Sequence, residues 1–306
     1  MVRVAEGRRF AARDVLVMSA SIDPTGLRVV RLAVGDESDD ARPLAPDEHP
    51  SPASSAAFAE WRMRLGASGA LPNVYLPDAE RLSSPHGHVD LFSGGPVDDA
   101  SRRYLTLAAD ARALRVRARV LLWLAARASV DVAGTMRWAS LACGPAYPMV
   151  AAMAVAMESG VAIEATFVDT CLPAVDVSRR VVLAHGIDPG AHRFTVARAG
   201  DAPVPAQSQH LVEALGLLEG LSCDAAARAI AEAFAMVRPG GSLVLSVMLA
   251  GRPPRDPELT VAWPMGPMRT LGELAALLAS AGVDIADALV HIPQDGVYAV
   301  VEVARL

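Results

Sequence analysis

Short apolar segments alternate with segments of helical period from about residue 101 to the end of the chain. The strand candidates are RWASLAC, AIEATFVD, HRFTVAR, HLVEAL, GSLVLSVML, ADALVHI and VYAVVEV. The helix candidates between them are Pro148–Glu158, Pro173–His185, Asp224–Val237 and Leu271–Ala281. This alternation predicts an α/β fold with a doubly wound, mostly parallel sheet and helices on both faces.

Both ends of this region differ from the alternation. The last two strand candidates are joined by PQDG, which predicts a C-terminal antiparallel hairpin. Before the first strand, SRRYLTLAADARALRVRARVLLWLAARA has helical periodicity. Gly282 fits the position after the last helix, where a left-handed residue is preferred.

The first hundred residues are predicted to form an N-terminal extension of hairpin, linker and helical cap. Two short strands flank the turn Asp23-Pro24-Thr25-Gly26, where Pro suits the second position and Gly supplies a positive φ. A short helix is expected in SSAAFAEWRMRLGAS, with Ser54 or Ser55 near its cap. We expect the domain of residues 1–100 to cover a site on the domain of residues 101–306.

Composition narrows the class of protein. The chain has 306 residues, 52% of them hydrophobic, so it can bury a sizeable core. A net charge of −6 without a basic cluster argues against nucleic acid as a partner. The apolar run VLLWLAA is too short for a bilayer, and MVRVAEGRRF has no apolar signal core. We expect a cytoplasmic protein with no membrane partner.

The stretch SLACGPAYPM joins the first strand candidate to the first helix. Small residues let the backbone approach a ligand, and a helix start offers unpaired N–H groups. Asp169 ends the second strand, where a carboxylate can accept hydrogen bonds from ribose hydroxyls. Asp201 follows the third strand, where a carboxylate can accept the adenine amino group. A helix cap for Asp169 and a solvated loop for Asp201 are the structural alternatives.

The order CGP, VDT, GDA, HLVEALGLLEGL and VRPGGSLVLS resembles the class I S-adenosylmethionine (SAM)-dependent methyltransferases, from about Arg112 to the C-terminus. The segment RPGGSLVLS after a helix is a fairly specific mark of that family, and the terminal hairpin also matches its fold. The resemblance implies a Rossmann-like sheet, SAM as the cofactor, and methyl transfer to a small molecule, in specialised metabolism.

The resemblance also implies which residues bind SAM. The turn would line the methionine part, the end of the second strand would hold the ribose, and the end of the third would flank the adenine. The end of the fourth strand would lie by the sulfonium and the acceptor. In chain order these residues are Ser140, Ala142, Cys143, Gly144, Asp169, Thr170, Asp201, Ala202, Glu213, Ala214 and Leu215. Glu213 and Tyr75 are the candidates for a catalytic role.

The turn departs from the family pattern of an acidic residue and three glycines. Ser140 stands at the acidic position, and Ala142 and Ala146 replace two glycines. Because alanine disfavours positive φ, we expect an altered turn. Since Ser140 cannot pair with the SAM ammonium, we expect Arg115 or Arg117 to clamp the SAM carboxylate, which guanidinium binds bidentately.

Alternatives stay open at this point. One is another SAM-consuming enzyme of the same fold, which alkylates the aminobutyrate chain of SAM itself and releases methylthioadenosine. Another is a non-catalytic SAM-fold partner protein, and a homodimer also stays open. In PHGHVD, His86, His88 and Asp90 have a spacing that a metal could use, but no cysteine or acidic cluster joins them. We therefore expect no metal.

We predict that residues 35–55 are mobile and dispensable for folding. Five acidic residues fall between Asp36 and Asp47, among prolines and serines, and such a segment buries little apolar surface. Limited proteolysis of the native protein, followed by mass spectrometry of the fragments, should therefore show the first cleavage in this segment. A first cleavage elsewhere, with residues 35–55 intact, would contradict the prediction.

Overall fold

A nine-stranded sheet organises the computed structural model, which describes residues 15–35, 55–65, 71–91, 97–130, 132–254 and 266–306. The strands are β1 (Val15–Ile22), β2 (Arg28–Val34), β3 (Arg81–Ser84), β4 (Gly87–Asp90), β5 (Thr135–Leu141), β6 (Ala162–Asp169), β7 (Arg193–Val196), β8 (Gln209–Ala214), β9 (Val237–Met248), β10 (Ala288–Pro293) and β11 (Tyr298–Ala304). The helices are α1 (Ala56–Leu65), α2 (Pro72–Tyr75), α3 (Asp99–Leu107), α4 (Ala109–Val130), α5 (Tyr147–Glu158), α6 (Leu172–Ala184), α7 (Cys223–Met236) and α8 (Leu271–Ser280).

The strand order of the sheet is β1-β2-β10-β11-β9-β8-β5-β6-β7. From β7 to β9 all neighbours are parallel, and β11 is antiparallel to both β9 and β10. The predicted doubly wound, mostly parallel sheet with a C-terminal antiparallel hairpin is confirmed. Strand order reverses where β5 lies between β6 and β8, so ligands are expected at the carboxyl ends of these three strands.

Helices cover both faces of the sheet because two apolar clusters form on its two sides. One cluster packs α4, α5 and α6 against the sheet and includes Leu121, Val150 and Phe167. The other packs α7 and α8 against the opposite face and includes Ile230 and Leu278. The strands that separate the clusters are buried on both faces, as the continuous apolar runs of the sequence predict.

The N-terminal hairpin extends the same sheet. β1 and β2 are antiparallel around the predicted turn, in which Gly26 has φ +89°. β2 then pairs in parallel with β10, from Arg28 opposite Leu289 to Leu32 opposite Pro293. This pairing covers the edge of β10, which would otherwise expose unpaired backbone groups. No local pattern in the sequence predicts this pairing, and the domain boundary at residue 100 stays a prediction.

The segment with helical periodicity before β5 forms two helices, with a break at Ala108 (ψ 129°). Arg115 stabilises this break, because its guanidinium donates hydrogen bonds to the carbonyls of Leu105 (2.9 Å) and Thr106 (2.6 Å) at the end of α3. A side chain ten residues away therefore satisfies carbonyls that a continuous helix would have used itself.

Several terminal signals of the sequence are present in the structure. Thr270 forms a capping box with Glu273 at the start of α8, and Gly282 follows that helix with φ +75°. Ser55 Oγ accepts a hydrogen bond from the Phe58 N–H at the start of α1, as expected of a capping residue. Apart from its two end residues, the segment predicted to be mobile, 35–55, lies outside the described residues.

The histidine-containing stretch PHGHVD lies in a two-stranded ribbon of β3 and β4. The ribbon packs on α6, where Ser84 Oγ donates to the Leu183 carbonyl at 2.9 Å. Within the described ranges, no group of three or more His, Cys, Asp or Glu side chains could hold a metal ion. None of the helices that the structure describes has the length and hydropathy needed to cross a membrane.

Gly241, in the RPGG turn that opens β9, provides a test of close backbone packing. A Cβ at Gly241 would lie 2.8 Å from the His210 carbonyl oxygen and 2.9 Å from that of Gln209. We predict that Gly241→Ala lowers the free energy of unfolding by about 1–3 kcal/mol in chemical denaturation. Gly251→Ala is the matched control, because a Cβ there meets nothing within 4 Å. Equal stability of the two variants would contradict this account.

Candidate functional site

A cavity of about 150 Å³ lies at the carboxyl ends of β5, β6 and β8, where strand order reverses. The turn after β5 forms one wall, and Asp169 and Glu213 face the cavity from β6 and β8. Leu71 and Tyr75, from the extension, also line the cavity. Arg117 of α4 also lines the cavity.

The turn after β5 has a left-handed backbone at three positions. The φ angles are +55° at Ala142, +52° at Gly144 and +55° at Ala146. The expectation that alanine would exclude positive φ is therefore wrong, because the turn keeps the backbone that glycines would adopt. Each left-handed alanine costs roughly 1–2 kcal/mol. Such strain persists only where surrounding contacts enforce it, and it is concentrated at functional sites.

Asp169 is the contact that enforces the turn. Its Oδ2 accepts a hydrogen bond from the Gly144 N–H at 2.8 Å, and its Oδ1 accepts one from the Cys171 N–H at 2.9 Å. Cys171 is the residue before α6, so the capping alternative for Asp169 is also present. A carboxylate has about four acceptor positions, so Asp169 can still accept hydrogen bonds from a ligand diol.

Arg117 belongs to a buried polar network. Its guanidinium donates to Glu219 Oε1 at 2.8 Å and to Ser246 Oγ at 3.1 Å, and it lies 4.6 Å from the centroid of the Tyr298 ring. The Tyr75 hydroxyl lies beside the same guanidinium. Because Glu219 neutralises Arg117, the pair adds no net charge to the cavity. Glu219 was not among the predicted site residues, although an acid within the apolar run LGLLEGL indicates a buried partner.

Arg115, the other candidate clamp, does not line this cavity. It donates to the Val74 carbonyl at 2.9 Å, in addition to its bonds at the end of α3, and so joins α2, α3 and α4. Its side chain supports the cover of the site. Of the two candidate clamps, Arg117 lines this cavity and Arg115 does not, and a contact of either with a ligand carboxylate stays a prediction.

Glu213 and Ser140 face each other across neighbouring strands. They are partners in the β5–β8 register, and they are 5% and 1% exposed. Burial raises the pKa of Glu213 to about 7, although Ser140, the Leu215 N–H and Arg117 favour the ionised form. Ser140 Oγ is close enough to the carboxylate to favour its ionised form. Glu213 Oε2 and Ser140 Oγ are both buried and have no hydrogen-bond partner.

Neither Cys143 nor Tyr75 is set up as a base or nucleophile. Burial, with the charges of Asp169 and Glu213, raises the pKa of the Cys143 thiol far above its usual value. Burial also raises the pKa of Tyr75, and the neighbouring Arg117 offsets only part of this. Tyr75 stacks on Tyr147, with ring centroids 5.2 Å apart, so the pair forms a rigid wall. Both groups stay protonated near neutral pH.

The remaining predicted residues lie away from the cavity lining. Thr170 and Asp201 are exposed, Ala202 is half-buried, and Ala214 belongs to the core. Asp201 ends a short 3₁₀ turn after β7, and the Ala197 N–H donates to the Asp169 carbonyl at 2.9 Å. The structure thus brings Ala142, Cys143, Gly144 and Asp169 together at the cavity, whereas Ser140 lies beside Glu213 without lining it. The adenine assignment stays a prediction.

The topology decides the fold at this point. From β7 to β10 the order is β7-β6-β5-β8-β9-β11-β10, and β11 alone runs against the others. This is the arrangement that the resemblance implies, with the cavity at the turn after its first strand. The chain has the class I SAM-dependent methyltransferase fold. A methyltransferase fold does not by itself establish an activity.

Comparisons with known proteins found similarity to solved structures, at low sequence identity. No family model matches the chain, and no curated protein matches it. A Bordetella parapertussis structure described as a possible exported protein has TM-score 0.51 and 16% identity, over 84% of this chain and 99% of that one. Mitomycin 7-O-methyltransferase has TM-score 0.48 and 16% identity over 87% and 73% of the two chains. Geranyl diphosphate methyltransferase in complex with SAM has TM-score 0.45 and 14% identity, over 70% of this chain and 93% of that one.

We predict that Ala142→Gly and Ala146→Gly each stabilise the methyltransferase fold. Glycine removes the left-handed strain but adds freedom to the unfolded chain, so the net gain is about 0.5–1 kcal/mol per site. Urea denaturation measures the change. Ala154→Gly, within α5, is the matched control and should lower stability by about 1 kcal/mol. Destabilisation by all three variants would show that the turn alanines are not strained.

Proposed function

We propose that this protein binds SAM at the cavity beside β5, β6 and β8 and catalyses transfer of its methyl group to a small molecule. The observation that supports this most directly is the strained turn from Ala142 to Ala146, which Asp169 holds at the point where strand order reverses. Strain at this point is expected where a backbone must approach a ligand closely.

The residues present fit the parts of SAM. Asp169 offers acceptor positions for the ribose hydroxyls. The buried Glu213 Oε2, which has no hydrogen-bond partner, suits a cationic group, and the Arg117 side chain suits a carboxylate. Thr170, Asp201 and Ala202 would lie toward the adenine. In this pose the amino-acid end of the cofactor occupies the closed part of the cavity.

The proposed mechanism depends on position more than on proton transfer. SAM supplies a methyl group that its sulfonium charge activates. The protein orients the acceptor about 3–3.5 Å from that carbon and excludes water from the site. Leu71, Tyr75 and the Tyr147 ring provide the apolar cover. Because Tyr75 and Cys143 stay protonated, an acceptor that is already an amine or an anion suits the site best.

A small acceptor is favoured because the cavity is narrow and the extension closes it. Its volume is about 150 Å³, and Leu71 and Tyr75 form its outer wall. A polymer would need an open groove, which these residues would obstruct. We extend the proposal to acceptors of specialised metabolism, the class to which the name of the mitomycin enzyme points.

We predict that Asp169→Ala weakens SAM binding about tenfold to a hundredfold or more. The variant loses one or two charge-assisted hydrogen bonds to the ribose, worth about 1.5–3 kcal/mol each. Isothermal titration calorimetry measures the affinity, and Asp176→Ala, an exposed acid on α6, is the control. Unchanged affinity in a folded Asp169→Ala protein would contradict the assignment.

Product analysis by mass spectrometry tests the activity itself. Incubation with SAM and a panel of small amines, phenols and carboxylates should yield S-adenosylhomocysteine and a methylated acceptor. Methylthioadenosine as the product would replace methyl transfer by intramolecular alkylation. Tight SAM binding with no turnover across the panel would favour the non-catalytic alternative.

A further inference from the structure

Two described residues that line the cavity have a carboxylate, Asp169 and Glu213. Only the Glu213 carboxylate is buried with one oxygen that accepts no hydrogen bond. The other charged groups at the cavity have partners on the protein: Glu219 pairs with Arg117 at 2.8 Å, and Asp169 accepts two backbone N–H groups. Glu213 Oε2 accepts no hydrogen bond at all. A buried carboxylate in this condition is costly when it is ionised, unless a ligand compensates it.

The surroundings of Glu213 suit a small cation with several donors. Ser140 Oγ, directly opposite in the β5–β8 register, is a second buried oxygen without a hydrogen-bond partner. Glu213 itself lines the cavity, together with the turn from Ala142 to Ala146, and Ser140 lies behind this lining as its register partner. An ammonium group has three donors and a positive charge, so it can satisfy both oxygens together. A neutral ligand could satisfy the hydrogen bonds but not the charge.

We infer that Glu213, together with Ser140, binds the ammonium group at the amino-acid end of SAM, and that the Glu213 carboxyl releases its proton when this contact forms. The inference rests on the proposed function. The acid that recognises the ammonium is thus on β8, and the residue opposite it on β5 is a serine. Glu213 then has a binding role and is not the base of the transfer reaction.

The protonation state follows from the environment of the carboxyl group. Without ligand, burial raises the pKa of Glu213 to about 7, so a large fraction of the groups is neutral near neutral pH. A bound cation stabilises the ionised form and lowers this pKa. Raising the pH toward 7 therefore removes a proton that binding must otherwise displace, and affinity increases with pH in this window.

Several other titratable groups face Glu213, and the test must separate them from it. From α2, α4, the turn, β6 and the segment after β8 these are Tyr75, Arg117, Cys143, Asp169 and Glu219. Each of them is retained in a Glu213→Gln variant. A difference between that variant and the wild type therefore reports on Glu213 alone.

The first measurement is SAM affinity by isothermal titration calorimetry between pH 5.5 and 7, where the SAM ammonium keeps its charge. Wild-type affinity should rise about tenfold over this range, and Glu213→Gln should remove most of the rise. Glu158→Gln, an exposed acid at the end of α5, should behave as the wild type. Titrations in two buffers of different ionisation enthalpy should show about half a proton more released at pH 7 by the wild type than by Glu213→Gln.

The second measurement transfers the carboxylate from position 213 on β8 to position 140, its register partner on β5. At pH 7, Glu213→Gln alone should bind SAM about tenfold to a hundredfold more weakly. The double variant Ser140→Asp/Glu213→Gln returns a carboxylate to the same pair of positions and should recover most of the loss. Failure of this double variant to bind better than Glu213→Gln, although it is folded, would overturn the pairing of the two positions.

The third measurement separates the two cationic groups of SAM. S-adenosylhomocysteine keeps the ammonium but has an uncharged sulfur. Glu213→Gln should therefore lower the affinity for SAM and for S-adenosylhomocysteine by the same factor. A loss confined to SAM would place Glu213 at the sulfonium and overturn the inference. Equal affinities of wild type and variant for both ligands would overturn it and leave the proposed function standing. If the wild type binds neither ligand, both fail together.

A ligand-free control checks the buried carboxylate itself. Because the folded-state pKa of Glu213 is raised above its unfolded value of 4.5, ionisation destabilises the fold as pH increases from about 4.5 through 7. Glu213→Gln, which cannot ionise, should be more stable than the wild type at pH 8, and the difference should be smaller at pH 5. The same difference at both values would show that the carboxyl does not titrate in this window.

Discussion

Two backbone N–H groups on one carboxylate, that of Asp169, hold the site of this protein in shape. They connect the turn after β5 with the start of α6, and they keep the left-handed alanines Ala142 and Ala146 in place. An isolated chain would leave this conformation, since it costs roughly 1–2 kcal/mol at each alanine. The parallel pairing of β5 and β6 brings the carboxylate to the turn, so the geometry of the cavity depends on the register of two neighbouring strands.

Charge compensation gives the cavity its chemical character. Arg117 and Glu219 form a buried ion pair at 2.8 Å. Removing one partner alone would leave an unpaired buried charge, which typically lowers the free energy of unfolding by about 3–5 kcal/mol. Glu213 has no such counterpart among the described residues. The cavity therefore combines a satisfied ion pair, which fixes α4 against the segment after β8, with an unsatisfied acid. The first provides rigidity, and the second is the group that, under our inference, selects a cation.

Features set by interactions between residues close in sequence were predictable, and features set by distant residues were not. Strands and helices from β5 to β11 were predictable because periodicity, caps and turns are local, as Gly282 and the RPGG turn show. The positions of Asp169 and the turn at neighbouring strand ends were predicted, but the bond from the Gly144 N–H to Asp169 was not. The bond of Arg117 to Glu219, the position of Arg115 and the pairing of β2 with β10 link distant parts of the chain. No local pattern specifies such partners, so they required the structure.

The pairing of β2 with β10 has a consequence for the order of assembly. During synthesis on the ribosome, β2 emerges long before its partner, because Arg28 pairs with Leu289. The β2 edge of the hairpin therefore stays unpaired until β10 is available. During this time the side chains of Leu16 and Met18 are also exposed. Contacts between such distant parts of a chain form slowly. Completion of the sheet is therefore a late step of folding, and until then the unpaired hairpin is the part most exposed to chaperones or to aggregation.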